Sequence, residues 1–154
     1  MGGVKFYQIF MGILALNIIL FIFLVSVHEM GHFVLGTWLG CESGKAVLLD
    51  SQIDNPYTEF SCENRESFIL ASLGGLIFTL IFSALFLFLE GPGRELFFTG
   101  VGLSQIFATT DILIATGLPV LQYIFGIFGL VFIILGEYFT VWSYVNLKYS
   151  LPTV

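Results

Sequence analysis

The sequence predicts an all-α membrane protein with about four transmembrane helices and a short β-hairpin-like loop after the first. Of its 154 residues, 57% are hydrophobic and only 10% are charged, with a mean hydropathy of +0.98, whereas soluble domains are about a quarter charged. The ionisable residues leave three uncharged gaps, 6–27, 67–89 and 112–136. Each gap reaches the roughly 20 residues that a spanning helix needs.

The same composition excludes several classes of protein. Eleven Asp and Glu against five Lys and Arg give a formal net charge of −6. Five cations are too few for a surface that follows the phosphates of a nucleic acid, and the chain is too apolar to be a soluble globule or a disordered segment. We therefore expect a multi-pass integral membrane protein with the lipid bilayer as a partner. The expected location is the cell membrane of a prokaryote.

The helices follow from these three gaps and from the shorter uncharged stretch 96–110, which Asp111 interrupts. Residues 1–154 are expected to form one transmembrane domain. The predicted helices cover residues 6–39, 68–89, 96–117 and 119–146. The first is longer than the apolar part of a secretory signal peptide and no small-x-small cleavage site follows it, so we expect it to be retained. Residues 90–94 predict a tight connection, and Gly117-Leu118-Pro119 predicts a break before the last helix.

The polar segment 41–67 lies between the first two helices and holds six of the eleven acids. Within it, residues 45–53 and 57–62 alternate loosely between apolar and polar side chains. Asp54-Asn55-Pro56 stands between them and is a turn signal. This pattern predicts a short β-hairpin.

Cys41 and Cys62 bracket this segment. They can form a disulfide if the segment faces an oxidising compartment, and would be free thiols in the cytosol. Four spans place three cations on the side of the N-terminus and two on the side of the polar segment, which weakly favours an external segment. The cations are Lys5, Arg94 and Lys148 on the first side, and Lys45 and Arg65 on the second.

The only two histidines, His28 and His32, lie in the pattern H-E-x-x-H. On a helix, residues i and i+4 point to within about 40° of each other, so both imidazoles can bind one Zn²⁺ ion at about 2.0–2.1 Å. Glu29 can then act as the general base toward a water molecule that zinc acidifies. The alternative is a pair of interfacial histidines beside an incidental Glu, which the cost of about 2.5–3.5 kcal/mol per charge in a membrane helix disfavours.

A catalytic zinc site takes three protein ligands, and the chain has no third histidine. Asp111 is the candidate because it lies deep between uncharged stretches, and an ionisable residue inside a membrane is a functional candidate. Its alternative role is an N-cap at a helix break, which the preceding Thr109 and Thr110 would suit. Glu137, at the start of a cluster of interfacial aromatic residues, is the reserve ligand.

With H-E-x-x-H ending a first apolar helix, a β-like segment after it and Asp111 in a later helix, the chain resembles the site-2 protease (M50) family of intramembrane zinc metalloproteases. Residues 111–119 resemble the Asp-x4-Thr-Gly-x-Pro stretch of its M50B-like branch. The resemblance implies one zinc ion on His28, His32 and Asp111, Glu29 as the base, and a membrane-spanning or membrane-adjacent peptide as the substrate. The more familiar branch has an Asn-Pro and Pro-rich lead into an Asp-Gly pair at its aspartate ligand, and the residues before Asp111 contain neither.

Three polar residues are candidates to hydrogen-bond the metal ligands. Asn17 precedes His28 by eleven residues and Ser104 precedes Asp111 by seven, so each shares a helix face with a ligand. Thr79 stands where the family often has an Asn. The plainer role of such residues is hydrogen bonding within or between helices. Packing is likewise the expected role of the small-residue patches Gly36-x-x-x-Gly40 and Gly74-Gly75, and the sequence does not decide self-association.

The leading hypothesis is an intramembrane zinc endopeptidase. The alternative is a non-catalytic membrane subunit or scaffold that keeps zinc for folding or for partner binding, and it predicts zinc binding without turnover. Metal transport ranks last, because the spans offer too few polar residues to line a path through the bilayer.

Overall fold

The computed structural model describes residues 3–47, 57–90 and 92–150. The elements are α1 (Gly3–Trp38), β1 (Glu42–Val47), β2 (Tyr57–Ser61), α2 (Arg65–Ser72), α3 (Gly74–Leu85), a 3-10 helix (Phe86–Phe88), α4 (Pro92–Thr116) and α5 (Pro119–Ser150). Four helical segments are long and apolar enough to cross a membrane. They are Tyr7–Trp38, Arg65–Phe88, Gly93–Thr116 and Pro119–Val145. The predicted four apolar helices are thus confirmed by length and composition.

The second predicted helix, 68–89, differs from the expectation in two ways. It begins earlier, at Arg65, because the side-chain oxygen of Asn64 caps it by accepting the backbone N–H of Ser67 at 2.7 Å. It is also interrupted at Leu73, which separates α2 from α3. Two glycines follow Leu73, and glycine is a weak helix former, so the break falls where the helix is least stable.

The other helix boundaries lie within four residues of the predicted ones. The largest differences are at the start of α4, predicted at 96 and observed at Pro92, and at the end of α5, predicted at 146 and observed at Ser150. Pro92 fits the first position of a helix because the N–H that proline lacks would have no partner there. Both helices thus extend beyond the apolar segments from which they were predicted.

α1 ends in a glycine turn that directs the chain into the polar segment. Gly40 has a φ of 75°, a left-handed conformation that favours glycine. The N–H of Cys41 donates to the carbonyl of Gly36 at 2.9 Å, and the N–H of Gly40 donates to the carbonyl of Thr37 at 3.1 Å. This pair of bonds is the Schellman motif, which satisfies carbonyls at the end of a helix.

α4 ends in a second glycine turn. Gly117 has a φ of 70°, and its N–H donates to the carbonyl of Leu113 at 2.7 Å. Pro119 then begins α5, in the position where the sequence predicted a break. Because α5 reverses direction here, α4 and α5 pack together as antiparallel neighbours. Asp111 lies five residues before the last residue of α4, which is about 7.5 Å along the helix axis.

Glycines bring the helix backbones into direct contact. A Cβ atom on Gly74 would lie 2.5 Å from the carbonyl oxygen of Gly31, and one on Gly102 would lie 2.6 Å from the carbonyl oxygen of Gly129. The first pair joins α1 to α3, and the second joins α4 to α5. Small residues permit this approach, and in a bilayer close packing is a main source of helix association. The predicted packing role of the Gly74-Gly75 patch is consistent with the first contact.

A small hydrophobic cluster sets the relation of α1 to α4. Leu20 and Leu24 on α1 are buried together with Leu96 on α4. Further along both helices His28 lies beside Asp111, so α1 and α4 run in the same direction. The two helices therefore present the H-E-x-x-H pattern and Asp111 at the same depth.

β1 and β2 pair antiparallel, with Glu42 opposite Ser61 and Val47 opposite Tyr57. The register is irregular between Ser43 and Ala46, as in a β-bulge. The predicted turn at 54–56 lies outside the described residues, so the strands are present but a complete hairpin is not among the described residues.

A disulfide between Cys41 and Cys62 fastens the sheet to α1, and the Cα atoms of the two residues lie 4.3 Å apart. Cys41 follows the glycine turn of α1, and Cys62 follows the last residue of β2. The sequence left open whether these cysteines are bonded, and in the structure they are. The end of β2 is consequently held next to the end of α1.

Candidate metal centre

Three side chains from two helices converge on one point. Nε2 of His28 lies 2.9 Å and Nε2 of His32 lies 3.3 Å from Oδ2 of Asp111. The two Nε2 atoms lie 3.2 Å apart. Among the described His, Cys, Asp and Glu residues, these three form the group that could hold a metal ion. The structure thus brings the predicted third residue to the histidine pair.

The spacing of the three atoms fits one tetrahedral metal ion. Ligand atoms at 2.0–2.1 Å from a tetrahedral zinc ion lie about 3.3 Å apart, close to the observed sides of the triangle. Oδ2 of Asp111 is buried and has no hydrogen-bond partner, although two ring nitrogens lie beside it. Without an ion, three acceptor-type atoms would crowd one buried space. A single cation would satisfy all of them together, so the residues fit a metal.

The group is shielded by the surrounding helices. His28 is 4% exposed and His32 is 5% exposed, whereas Met30, between them in sequence, is 55% exposed toward the surface of α1. Met30 is about half a helical turn from each histidine, so α1 has an inward face that carries the ligands and an outward face that is apolar. Buried polar side chains inside apolar helices need partners, and a shared cation would be the partner of all three ligand atoms.

A backbone carbonyl orients the ring of His32. Nδ1 of His32 lies 2.9 Å from the carbonyl oxygen of Ala71, at the end of α2. The amide nitrogen of Gly75 lies farther from the same atom, at 3.4 Å, so we assign the proton to Nδ1, which donates to Ala71. Nε2 then keeps its lone pair for a metal. This is the usual arrangement in which the second ring nitrogen fixes the tautomer of a metal-binding histidine.

α3 passes directly beside both imidazole rings at Gly75. A Cβ atom there would lie 2.5 Å from Cε1 of His28 and 2.6 Å from Nε2 of His32. Only a hydrogen atom fits in this space, so Gly75 is required by the site and not only by helix packing. The ring of Phe107 also packs edge to face against His28, at a centroid distance of 5.8 Å.

Glu29 follows His28 directly in α1 and does not belong to the ligand group. Its side chain is 8% exposed, and its Oε2 atom accepts a hydrogen bond from Oγ1 of Thr58 at 2.8 Å. Thr58 belongs to β2, so the two-stranded sheet contacts the residue predicted as the base. The sequence did not predict this contact, because it depends on how β2 folds back over α1 and no residue spacing indicates it.

Thr79 and Ser104, two of the predicted hydrogen-bond partners of the metal ligands, bond other atoms instead. Thr79 and Ser104 are fully buried, but each hydroxyl donates to a carbonyl of its own helix: Thr79 to Gly75 at 2.8 Å and Ser104 to Gly100 at 2.7 Å. Neither of these bonds reaches a ligand. Apolar surroundings favour this local bond, which satisfies the hydroxyl without another helix.

Asn17 and Glu137 lie in a different part of the molecule. Asn17 is about 16 Å along the axis of α1 from His28, and it lines a cavity of about 350 Å³ together with Glu137 and Thr99. Oε1 of Glu137 lies 3.4 Å from Oγ1 of Thr99, which donates to it. The structure therefore places Asp111, and not the reserve residue Glu137, beside the histidines.

The chain matches no protein-family model, no curated protein and no solved structure. The site is therefore defined by its own geometry. It is a buried group of two histidines and one aspartate, suited to one metal ion, among four apolar helices that are long enough to cross a membrane.

Proposed function

We propose that this protein is an intramembrane zinc endopeptidase in which His28, His32 and Asp111 hold the zinc ion and Glu29 is the general base. The observation that carries the proposal is the meeting of an H-E-x-x-H pair with a distant carboxylate at distances that suit zinc. Two imidazoles and a carboxylate are a ligand set of catalytic zinc sites, which keep a further position open. The resemblance of the sequence to the site-2 protease family supports the same assignment.

The residues have separate roles in peptide hydrolysis. When bound, zinc supplies a Lewis acid that polarises the scissile carbonyl and lowers the pKa of water toward 7. Glu29 accepts one proton from the attacking water, whose oxygen forms the new bond to the carbonyl carbon. As the C–N bond breaks, Glu29 donates that proton to the leaving amine. The histidines and Asp111 keep the ion beside Glu29, and the surrounding helices limit the access of bulk water.

The proposed substrates are membrane-spanning or membrane-adjacent peptides, because the candidate ligands lie within helices that could cross a membrane. Asp111 lies within the span Gly93–Thr116, and the histidines lie within Tyr7–Trp38. A substrate helix must unwind before cleavage, because its amides are hydrogen-bonded within the helix when it is in lipid. The paired strands β1 and β2 have outer edges with which an extended segment could pair through its backbone.

The test compares wild type with Glu29→Gln after reconstitution in liposomes. The probe is a quenched-fluorescence transmembrane peptide that carries a Gly-Pro pair about two turns from one end, near the expected depth of the site. We expect Glu29→Gln to retain zinc and to lose about 100-fold or more of the cleavage rate. Glu90→Gln, which removes an exposed carboxylate after the 3-10 helix, is the matched control and should cleave like wild type.

Two outcomes would contradict the proposal. Undiminished cleavage by zinc-loaded Glu29→Gln would show that Glu29 is not the base. Tight zinc binding by wild type, with no cleavage of any peptide in a depth-scanned series, would support the alternative of a zinc-binding membrane subunit or scaffold.

A further inference from the structure

We propose that Thr58 is a positioning residue for Glu29, because its hydroxyl holds one carboxylate oxygen and leaves the other free to face the reacting water. The inference rests on the proposed role of Glu29 as the general base. It assigns the two-stranded sheet a part in the chemistry, since Thr58 is carried by β2 and not by a membrane-spanning helix.

The contact is short and specific. Oγ1 of Thr58 lies 2.8 Å from Oε2 of Glu29 and 3.2 Å from the backbone carbonyl oxygen of the same residue. A threonine hydroxyl has a single proton to donate, and the shorter distance assigns it to the carboxylate. Within the described residues, Thr58 is the hydrogen-bond partner of this carboxylate.

A hydrogen bond at this position limits the freedom of the Glu29 side chain. Glutamate has three rotatable side-chain bonds, and a general base must lie within hydrogen-bond reach of the proton that it removes. Bonds from a hydroxyl to a carboxylate are among the strong ones because the acceptor is charged. With Oε2 held by Thr58, Oε1 is the oxygen that remains for the substrate water.

The strand that carries Thr58 is itself fastened to the helix that carries Glu29. Thr58 pairs with Ala46 of β1 across the sheet. Four residues after Thr58, Cys62 is disulfide-bonded to Cys41, directly beyond the glycine turn that ends α1. The chain thus closes a ring from Glu29 along α1, through the disulfide and β2, back to Glu29. This closed path of covalent bonds and one hydrogen bond holds Thr58 beside Glu29.

Three variants test the inference in the liposome assay with the same quenched peptide. Thr58→Val keeps the side-chain shape without the hydroxyl, and Thr58→Ser keeps the hydroxyl. Thr37→Val is the matched control, because the exposed Thr37 hydroxyl bonds only the backbone of its own helix, at Phe33. We expect Thr58→Val to lower kcat by about 10- to 100-fold with KM and zinc content unchanged, a range seen when supporting hydrogen bonds are removed.

The conservative variant separates positioning from folding. Thr58→Ser should recover kcat to within about threefold of wild type, and Thr37→Val should match wild type. A wild-type kcat for Thr58→Val, or a Thr58→Ser variant as slow as Thr58→Val, would overturn the inference. If Glu29→Gln is inactive while Thr58→Val is fully active, the role of Glu29 stands and only the positioning role fails.

An infrared measurement tests the contact without any turnover. The difference spectrum between wild type and Thr58→Val should contain a shift of a carboxylate stretching band, since a carboxylate loses a hydrogen bond. The same difference taken in the Glu29→Gln background should lack that band. A band that persists in that background, or no band in either, would overturn the contact even if no cleaved substrate is found.

Discussion

Oδ2 of Asp111 lies 2.9 Å from Nε2 of His28, and this contact joins α4 to α1. Leu20, Leu24 and Leu96 are buried together earlier along the same two helices. The polar contact therefore stands at one end of an apolar interface, where a bound cation would link the two helices. Binding energy of the ion would then contribute to folding, as it does in structural zinc sites.

Gly75→Ala should prevent metal binding. The added methyl group would lie 2.5–2.6 Å from the rings of His28 and His32, so at least one imidazole must leave its position. We expect zinc measured by inductively coupled plasma mass spectrometry to fall from one equivalent to near zero. Gly126→Ala is the control, because a Cβ atom there meets its nearest neighbour at an ordinary 3.7 Å. Equal zinc content in both variants would contradict the account of the site.

Gly102→Ala should destabilise the packing of α5 on α4. A Cβ atom would lie 2.6 Å from the carbonyl oxygen of Gly129 and 2.7 Å from the backbone nitrogen of Ile133, and overpacking of this kind costs about 1–3 kcal/mol. Gly12→Ala, where a Cβ atom meets nothing within 4 Å, should leave stability unchanged or raise it by up to about 1 kcal/mol through helix propensity. Thermal unfolding in detergent, followed by circular dichroism, measures both. A Gly102→Ala protein as stable as Gly12→Ala would exclude the close contact.

The polar segment should face an oxidising compartment. Cys41 and Cys62 are bonded, and such bonds persist outside the reducing cytosol. We expect intact bacterial cells expressing the chain to react with a membrane-impermeant maleimide only after treatment with a membrane-impermeant phosphine reductant. Mass spectrometry should then find two labels per chain. Labelling without reduction would exclude the disulfide bond. Labelling only after cell lysis would place the segment on the cytosolic side.

Much of the fold follows from the position of charges. The uncharged runs locate the four helices because lipid excludes ionised side chains, and the spacing of His28 and His32 needs only helical periodicity. Asp111 stands out for the same reason, as a charge within an apolar stretch. The break at Leu73 was missed because hydrophobic length does not reveal a single non-helical residue, although the glycines after it are a weak signal.

The remaining parts of the site depend on how the helices are rotated against each other. The carbonyl of Ala71 carries no signal in sequence, since every residue has one. Thr58 could be found only by knowing that β2 folds back over α1. Ser104 shows the converse, because its shared helix face with Asp111 suggested a contact, and its hydroxyl instead bonds the carbonyl of Gly100 on its own helix. Thr79, which the family resemblance suggested, likewise bonds the carbonyl of Gly75. Gly75 could have been suspected from the Gly-Gly pair, but its contact with the rings could not.

X-ray absorption at the zinc edge of the purified protein, with metal analysis of wild type and Asp111→Ala, tests the metal centre most directly. We expect one zinc ion per chain, with two imidazoles at about 2.0–2.1 Å, oxygen in the remaining positions and no sulfur. Asp111→Ala should lose tight binding, whereas Glu29→Gln should keep the wild-type spectrum. Sulfur at about 2.3 Å, or full zinc occupancy in Asp111→Ala, would contradict the assignment of His28, His32 and Asp111 as the ligands.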